Sequence, residues 1–451
     1  MSAGDCTGGS PRWRTLPRDD ERVETVRALL GRCLRAAGVT RVFGERIPGL
    51  PAVVAPEPWM PALLADCDGR LGPGPGCGLA PDGTLRLSSR PGAVVEAVAI
   101  TTADALPVVV AAAAAPARTG AAAAELRLEL DLDAPAPTGL DPVIPTPESA
   151  AREPLAPVEG PVVVLVGPGL VRAGAIAGLR AFATSAGVGV ANTWGAKGVF
   201  PWDSRHHMGT AGLQERDFEL LGFADAGAVV ASGIDPDESA PEHFALAPVV
   251  PVTPHRLTAD LAAELTPSAD GIPPNRLYER LAAVAQPGYV ADKVPLHPAR
   301  AVADLRAALP PDGVVAAAPG LAGLWVARTF PTTAPESVVV PATVAPGVAA
   351  GVALAAALRN RPAVAVVTDP IDDATAAITA LAAGLGLSLV VSVWSPAGDL
   401  PHVDAHATDL AAAFAPPGVT EVRVPVDTGD TALLIDAAGP VVAWNSRFGV
   451  T

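Results

Sequence analysis

Short apolar runs typical of β-strands alternate with helix-like segments along most of this 451-residue chain. The pattern is clearest in AVAVVTDPIDDATAAITALAAGLGLSLVVSVWSP (residues 363–396), where an apolar run, a sharp stop, a helical stretch and a second apolar run follow one another. Strands connected through helices pair in parallel, and the connecting helices then cover both faces of the sheet. We therefore predict an α/β fold made of Rossmann-like or flavodoxin-like domains with parallel sheets.

Two proline-rich passages divide this alternation into three blocks, and a chain of this length has room for several hydrophobic cores. Proline-rich composition is typical of semi-extended linkers. The predicted organisation is a disordered polar tail (1–20), a first domain (21–132), a proline-rich linker (133–158), a central domain (159–252), a second linker (253–296) and a third domain (297–451).

The net charge of −16 argues against non-specific binding to nucleic acid or to an anionic membrane surface. The four cysteines have neither CxxC nor zinc-ribbon spacing, and the polar N-terminus contains no secretory signal. Residues 337–358 carry no charge over about the length that a bilayer requires, but they include Pro341 and Pro346. A buried strand, loop and helix explains this stretch better than a membrane span. We predict a cytoplasmic protein with no nucleic-acid or membrane partner.

Three acidic residues follow the apolar run at 363–368, where open α/β sheets usually bind their ligands. Asp369 suits a helix N-cap, Pro370 the first helical position and Asp372 the carboxylate of a capping box. Alternatively, Asp369 is a ligand of Mg²⁺, which prefers oxygen ligands. The helix cap is the favoured interpretation, because Pro370 has no backbone N–H to offer a phosphate.

A longer motif lies in the central block, where NTWGAKGVFPWDSRHHMGTAGL (192–213) is followed by FADAGAVVASGIDPDE. It resembles the central domain of thiamine-diphosphate-dependent enzymes of the acetolactate synthase, pyruvate oxidase and 2-oxo-acid decarboxylase type. GVTRVFG and SSRPGAVVEAVAITTADALPVVV resemble the pyrimidine-binding domain of that family, and APGVAAGVALAAALRNRPAVAVVTD resembles its diphosphate-binding domain. The resemblance implies thiamine diphosphate held through Mg²⁺, between the first domain of one subunit and the third domain of another.

The same resemblance assigns two candidate residues in the first domain. Glu57 takes the place of the catalytic glutamate that protonates the aminopyrimidine ring, and Gly92 belongs to a glycine loop beside the cofactor. The loop reads Arg90-Pro91-Gly92 here, with a bulky cation where the family has a small residue. Glu57 is otherwise interpreted as an acid near a helix N-terminus.

In the third domain, the resemblance implies that Gly347, Thr368, Asp369 and Ser395 contact the cofactor and that Asp369 binds the metal. Two departures from the family pattern stand out. Pro370 replaces the glycine of a Gly-Asp-Gly motif, and Ser395 stands where the family has an asparagine ligand.

These departures favour a degenerate, non-catalytic member that acts as a structural or regulatory subunit or binds a small molecule. The alternative is an active carboligase or 2-oxo-acid decarboxylase with altered Mg²⁺ ligation. A flavin or adenine nucleotide in the central domain stays open, because GPGLVR (167–172) has Arg172 where the third small residue of a dinucleotide motif would stand. We expect a homo-oligomer, or a heteromer with an intact paralogue, to which residues 337–358 contribute contact surface.

Overall fold

Three β-sheets, one in each block of the sequence, form the framework of the computed structural model. The structure describes residues 24–90, 97–145, 158, 160–265 and 275–445. The strands are short apolar runs whose residues are mostly buried. Helices pack against the sheets that these strands form. This arrangement confirms the predicted α/β class.

The first sheet differs from the predicted parallel arrangement at one strand. Its block contains, in chain order, α1 (Val26–Ala36), β1 (Val42–Gly44), β2 (Ala52–Val53), α2 (Met60–Arg70), β3 (Gly76–Leu79), β4 (Thr84–Ser88), β5 (Ala97–Ile100), α3 (Leu106–Thr119) and β6 (Ala124–Leu128). The strand order is β2-β1-β3-β4-β6-β5, and β4 is antiparallel to both of its neighbours.

The reversal of β4 follows from the turn that precedes it. Asp82 Oδ1 accepts a hydrogen bond from the backbone N–H of Thr84 at 2.9 Å, and Gly83 has a left-handed φ of +83°. This turn connects β3 directly to β4. A parallel pair would need a crossover connection of a dozen or more residues, for which the sequence leaves no room here.

The central sheet is entirely parallel. Its block contains β7 (Val162–Val166), α4 (Pro168–Arg172), α5 (Ile176–Ala186), β8 (Gly189–Thr193), β9 (His207–Ala211), α6 (Asp217–Leu220), β10 (Ala228–Ser232), α7 (Pro241–Phe244), β11 (Val249–Pro251) and α8 (Ala259–Glu264). The strand order is β11-β10-β7-β8-β9. The predicted second linker contains a further helix, α9 (Arg276–Tyr289), which the Asn275 side chain caps by accepting from Tyr278 N.

The third sheet is also entirely parallel. Its block contains α10 (Pro298–Ala308), β12 (Val314–Ala317), α11 (Leu321–Thr329), β13 (Val338–Val339), α12 (Val348–Ala357), β14 (Ala363–Thr368), α13 (Asp373–Gly384), β15 (Leu389–Ser395), α14 (Ala405–Ala413), β16 (Val419–Pro425) and α15 (Thr431–Ala438). The strand order is β13-β12-β14-β15-β16, so the carboxyl ends of β14 and β15 are neighbours.

Helix α12 is buried within the chain itself. All ten of its residues are buried, and it packs between the third sheet and α2 of the first domain, with Gly351 against Leu64 and Cys67. Residues 337–358 therefore form a strand, a loop and a buried helix, as predicted. The expectation that this stretch contributes contact surface between subunits is wrong for α12, because the chain's own first domain covers it. None of the helices in the described ranges is long and apolar enough to cross a membrane.

The first predicted linker begins in contact with the first domain. Arg27 Nε donates to Asp133 Oδ1 at 3.1 Å, and Arg32 Nη2 donates to the carbonyl of Leu140 at 2.8 Å, so residues 133–140 run along α1. Most of the remaining linker (146–157) and the predicted tail (1–20) lie outside the described residues. The proposed domain boundaries stay predictions.

Candidate functional site

Four of the six predicted site residues meet at the carboxyl edge of the third sheet. Thr368 and Ser395 are the last residues of the neighbouring strands β14 and β15, and Asp369 follows Thr368 directly. Gly347 precedes α12 and approaches the first turn of α13, where a Cβ added to it would lie 2.9 Å from Ala374 Cβ. The sequence prediction therefore identified residues that are close together in space.

Asp369 forms an ion pair at this edge. Arg423 of β16 donates from Nη1 to Asp369 Oδ1 at 2.8 Å, and its Nε contacts Glu421 Oε1 at 2.5 Å. Both side chains of the Arg423–Asp369 pair are at least a third exposed. The carboxylate that the family resemblance assigns to Mg²⁺ thus already has a cation as its partner.

The helix after β14 begins later than predicted. Asp372, in extended backbone conformation, is the N-cap: its carboxylate accepts from Thr375 N at 2.8 Å and from Thr375 Oγ1 at 2.9 Å. The expectation that Asp369 caps the helix and Pro370 occupies its first turn is therefore wrong by three residues. Asp372 satisfies the first turn of α13, which leaves Asp369 outside the helix and available to Arg423.

The residues at this edge do not fit a Mg²⁺–diphosphate group. Ser395 Oγ donates to the carbonyl of Ala397 at 2.7 Å, and Pro370 offers no backbone N–H. Arg423 would stand beside the cation. Within the described ranges, no group of three or more His, Cys, Asp or Glu residues has a geometry that could hold a metal ion. A hard divalent cation needs several oxygen ligands, and Asp369, the carboxylate that the resemblance assigns to the metal, is already paired with Arg423.

The two predicted residues of the first domain are not joined to this edge. Glu57 is exposed and precedes α2, and among the described residues only its backbone carbonyl is bonded, to Met60 N at 3.1 Å. Gly92 lies outside the described residues. Its neighbour Arg90 donates from Nε to the carbonyl of Gly120 at 2.7 Å and pairs with Asp237, so it connects the first and central domains.

The glycine turn of the central domain is occupied by the protein's own groups. Gly169 N donates to the carbonyl of Gly233 at 2.8 Å, which packs the turn against the end of β10. At the end of β8, the buried Glu238 carboxylate accepts from Thr193 Oγ1 at 2.5 Å and from Gly195 N at 3.1 Å. Burial raises the pKa of Glu238 to about 7. The turn therefore serves packing, and a carboxylate takes the N–H of Gly195 that could otherwise face a phosphate.

Sequence reasoning missed a cavity of about 420 Å³ between the central and third domains. Strand β9, helices α9, α10 and α11, and the loop after β8 form its walls. Lys197 lines it and is only 6% exposed, and its ammonium has no hydrogen bond or ion pair to any described residue. Burial, followed by the charge of Arg328, lowers the pKa of Lys197 to about 7.

His207 lines the same cavity from the start of β9. Burial and the Lys197 charge lower its pKa to about 3, so the imidazole is neutral, and its Nδ1 is buried without a partner among the described residues. The sequence offered one signal for this site. Lys197 is one of only two lysines in the chain, and it lies within the central-domain motif. One of the other walls, α9, comes from a segment that was predicted to be a linker.

Comparisons with known proteins agree with the α/β fold described above. Residues 151–256 match the family described as "Thiamine pyrophosphate enzyme, central domain". Among solved structures, the chain is similar to a provisionally identified thiamin diphosphate-dependent enzyme isolated from Mycobacterium smegmatis, with 18% identity, a TM-score of 0.63, and coverage of 89% of this chain and 99% of that one. None of the curated proteins compared with this sequence matches it.

The chain therefore shares the α/β fold of that structure along most of its length. Its central block is similar to the central domain of the thiamine pyrophosphate enzymes. The family resemblance inferred from the sequence is confirmed.

Proposed function

We propose that this protein is a thiamine-diphosphate-enzyme relative whose cofactor site no longer supports catalysis, and that it acts as a structural or regulatory subunit or binds a small molecule. The observation that carries the proposal is the ion pair between Asp369 and Arg423. A guanidinium at hydrogen-bond distance neutralises the only carboxylate that the family resemblance assigns to the metal, and it repels a divalent cation. Pro370 and Ser395 remove two further contacts to a diphosphate.

One observation favours the alternative, an active carboligase or 2-oxo-acid decarboxylase with altered Mg²⁺ ligation. Gly347, Thr368 and Asp369 lie together at the sheet edge where the family binds its cofactor. Arg423 is 54% exposed, and exposed ion pairs are weak, so Mg²⁺ with thiamine diphosphate could displace it at low cost. The two functions therefore differ in a measurable affinity.

Titration with thiamine diphosphate and Mg²⁺, followed by calorimetry and thermal unfolding, distinguishes them. We expect a dissociation constant in the millimolar range or weaker, and stabilisation by less than about 1 kcal/mol at a matching ligand concentration. The combined variant Pro370→Gly, Ser395→Asn, Arg423→Ala should gain Mg²⁺-dependent binding. Arg216→Ala, which removes another exposed ion pair, with Glu219 of α6, is the matched control. Micromolar binding by the unmodified protein, abolished by Asp369→Ala, would overturn the proposal in favour of the enzyme.

We further propose that the chain assembles at least as a dimer, either with itself or with an intact paralogue. The support is the resemblance to a family in whose members the cofactor lies between two subunits. Light scattering of the purified protein at micromolar concentration, together with recovery of partners from cell extract, tests this. A monodisperse monomer with no recovered partner would contradict it.

A further inference from the structure

The cavity between the central and third domains has an unusual charge for this protein. Three basic residues line it, Lys197, Arg306 and Arg328, and no acidic residue of the described ranges does, although the chain carries a net charge of −16. Arg328 is satisfied by Asp217, which it contacts at 2.5 Å. Lys197 and Arg306 form no ion pair with any described residue. The walls therefore offer positive charge that the protein itself does not neutralise.

Local packing holds Lys197 in the wall. The neighbouring Gly198 has a left-handed φ of +92°, and a Cβ added to it would collide with the carbonyl of Ala334 in the third domain. A few residues further on, Trp202 N donates to the carbonyl of Thr332 at 2.9 Å. The loop after β8 is thus fixed against the third domain on both sides of the lysine. A lysine that is only 6% exposed is costly to keep charged unless a negative charge compensates it.

The rest of the cavity is apolar. Helix α9 contributes Leu277, Leu281 and Ala285, and Phe330 follows α11 on the opposite side. Trp202, Gln286 and Ala307 also line the cavity, and their exposure to solvent places them at its mouth. The volume of about 420 Å³ is within the range of small-molecule sites, which are mostly apolar with a few polar groups that fix the ligand's orientation.

We propose that this cavity binds a small carboxylate with an apolar body, whose carboxylate pairs with Lys197 and whose body lies against α9 and Phe330. One buried, unpaired ammonium matches a single negative charge, and the apolar walls match an aliphatic or aromatic body. A nucleotide or sugar phosphate fits less well, because the lining residues offer no glycine-rich cradle of backbone N–H groups. The proposal specifies the small-molecule role of the proposed function, but it does not depend on loss of the thiamine diphosphate site.

Calorimetric titration of the full-length protein with octanoate and with 4-phenylbutyrate tests the proposal. At least one carboxylate should bind, and Lys197→Met should weaken its binding at least tenfold, because a charge-assisted hydrogen bond is lost. The uncharged 4-phenylbutyramide and octanamide should not bind detectably, and neither should inorganic phosphate. Lys293→Met is the matched control, because Lys293 is the only other lysine and is about half exposed beside Asp430.

A second measurement keeps the test decisive if Lys197→Met fails to fold. Acetylation by an amine-reactive reagent, followed by peptide mass spectrometry, reports separately on the two lysines of the unmodified protein. The bound carboxylate should slow modification of Lys197 and leave the rate at Lys293 unchanged. The proposal is wrong if neither carboxylate binds at millimolar concentration, if Lys197→Met binds as tightly as wild type, or if both lysines are protected equally. Titration with thiamine diphosphate measures binding at a different site, around Asp369. The proposed carboxylate site and the proposed loss of the cofactor site can therefore fail independently of each other.

Discussion

Lys197 is a residue at which burial opposes the charged form of the side chain. Its pKa falls from an ordinary value of 10.5 to about 7 in the folded protein, chiefly because of burial. The charged or titratable groups around the cavity are Arg328, Arg306, the neutral His207, Tyr278 and Tyr289, with Asp203 near the Tyr278 hydroxyl. The unfolded chain therefore binds the Lys197 proton more tightly than the folded chain does. Between about pH 7 and pH 10.5 this group makes the free energy of unfolding rise with pH, by at most about 1.4 kcal/mol per pH unit.

A comparison of wild type with Lys197→Met isolates this contribution. Below its folded pKa of about 7, the lysine is protonated in both states, and the folded state bears the cost of a buried ammonium. Lys197→Met should therefore be more stable than wild type near neutral pH, and its advantage should decline as the pH rises toward about 10. Urea unfolding of both proteins across this range measures the difference. A difference that is constant with pH would mean that Lys197 titrates in the folded protein as it does in water.

At the scale of elements, the sequence predicted the alternation of strands and helices well, because buried parallel strands are apolar throughout and are easy to recognise. The sequence prediction was wrong where a single turn or a single side chain determines the direction of a strand or the start of a helix. The turn at Asp82 and Gly83 reverses β4, and Asp372 rather than Asp369 caps α13. The cavity could not be predicted, because its walls come from segments far apart in the sequence. One of them, α9, lies among prolines that are typical of a linker.

The crossing of α12 with α2 gives a prediction at this scale. A methyl group on Gly351 would lie 2.8 Å from Cys67 Sγ and 3.7 Å from Leu64 Cδ2. Gly351→Ala should therefore lower the free energy of unfolding by about 1–3 kcal/mol through overpacking, although alanine favours a helix by about 1 kcal/mol over glycine. Thermal or urea unfolding measures the change.

Two further variants control this experiment. Gly384, the last residue of α13, has no atom within 4 Å of an added Cβ, so Gly384→Ala should be neutral or slightly stabilising. Adding Cys67→Ala to Gly351→Ala should restore part of the lost stability, because it removes the sulfur that the methyl group meets. Equal effects of the two glycine substitutions would argue that α12 and α2 do not pack this closely.

At the scale of the whole molecule, one buried network connects the central and third domains. Arg328 of α11 donates to Asp217 Oδ1 at 2.5 Å, to Gln214 Oε1 at 3.0 Å and to the carbonyl of Thr210 at 2.7 Å. Gln214 in turn donates to the carbonyls of Leu434 and Gly439 at 2.7 Å each. The side chains of Arg328 and Asp217 are essentially unexposed, and burial raises the pKa of Asp217 in spite of its partner. The network also forms part of the cavity wall, so the proposed ligand site depends on how the two domains are held together.

Removing one charge from this network should destabilise the whole molecule. Asp217→Asn keeps an oxygen that can accept from Leu213 N and Gln214 N, which Asp217 Oδ2 now does at 2.9 and 3.0 Å, but it leaves the Arg328 guanidinium buried without a counter-charge. We expect a loss of about 3–5 kcal/mol in the free energy of unfolding, measured by urea denaturation. The double variant Asp217→Leu, Arg328→Leu should recover much of it, because paired apolar side chains leave no buried charge. Hydrogen exchange at β9 and α11 should rise together in Asp217→Asn. If the effects of Asp217→Leu alone and Arg328→Leu alone add up to that of the double variant, or if exchange rises in one domain alone, the pair does not couple the domains.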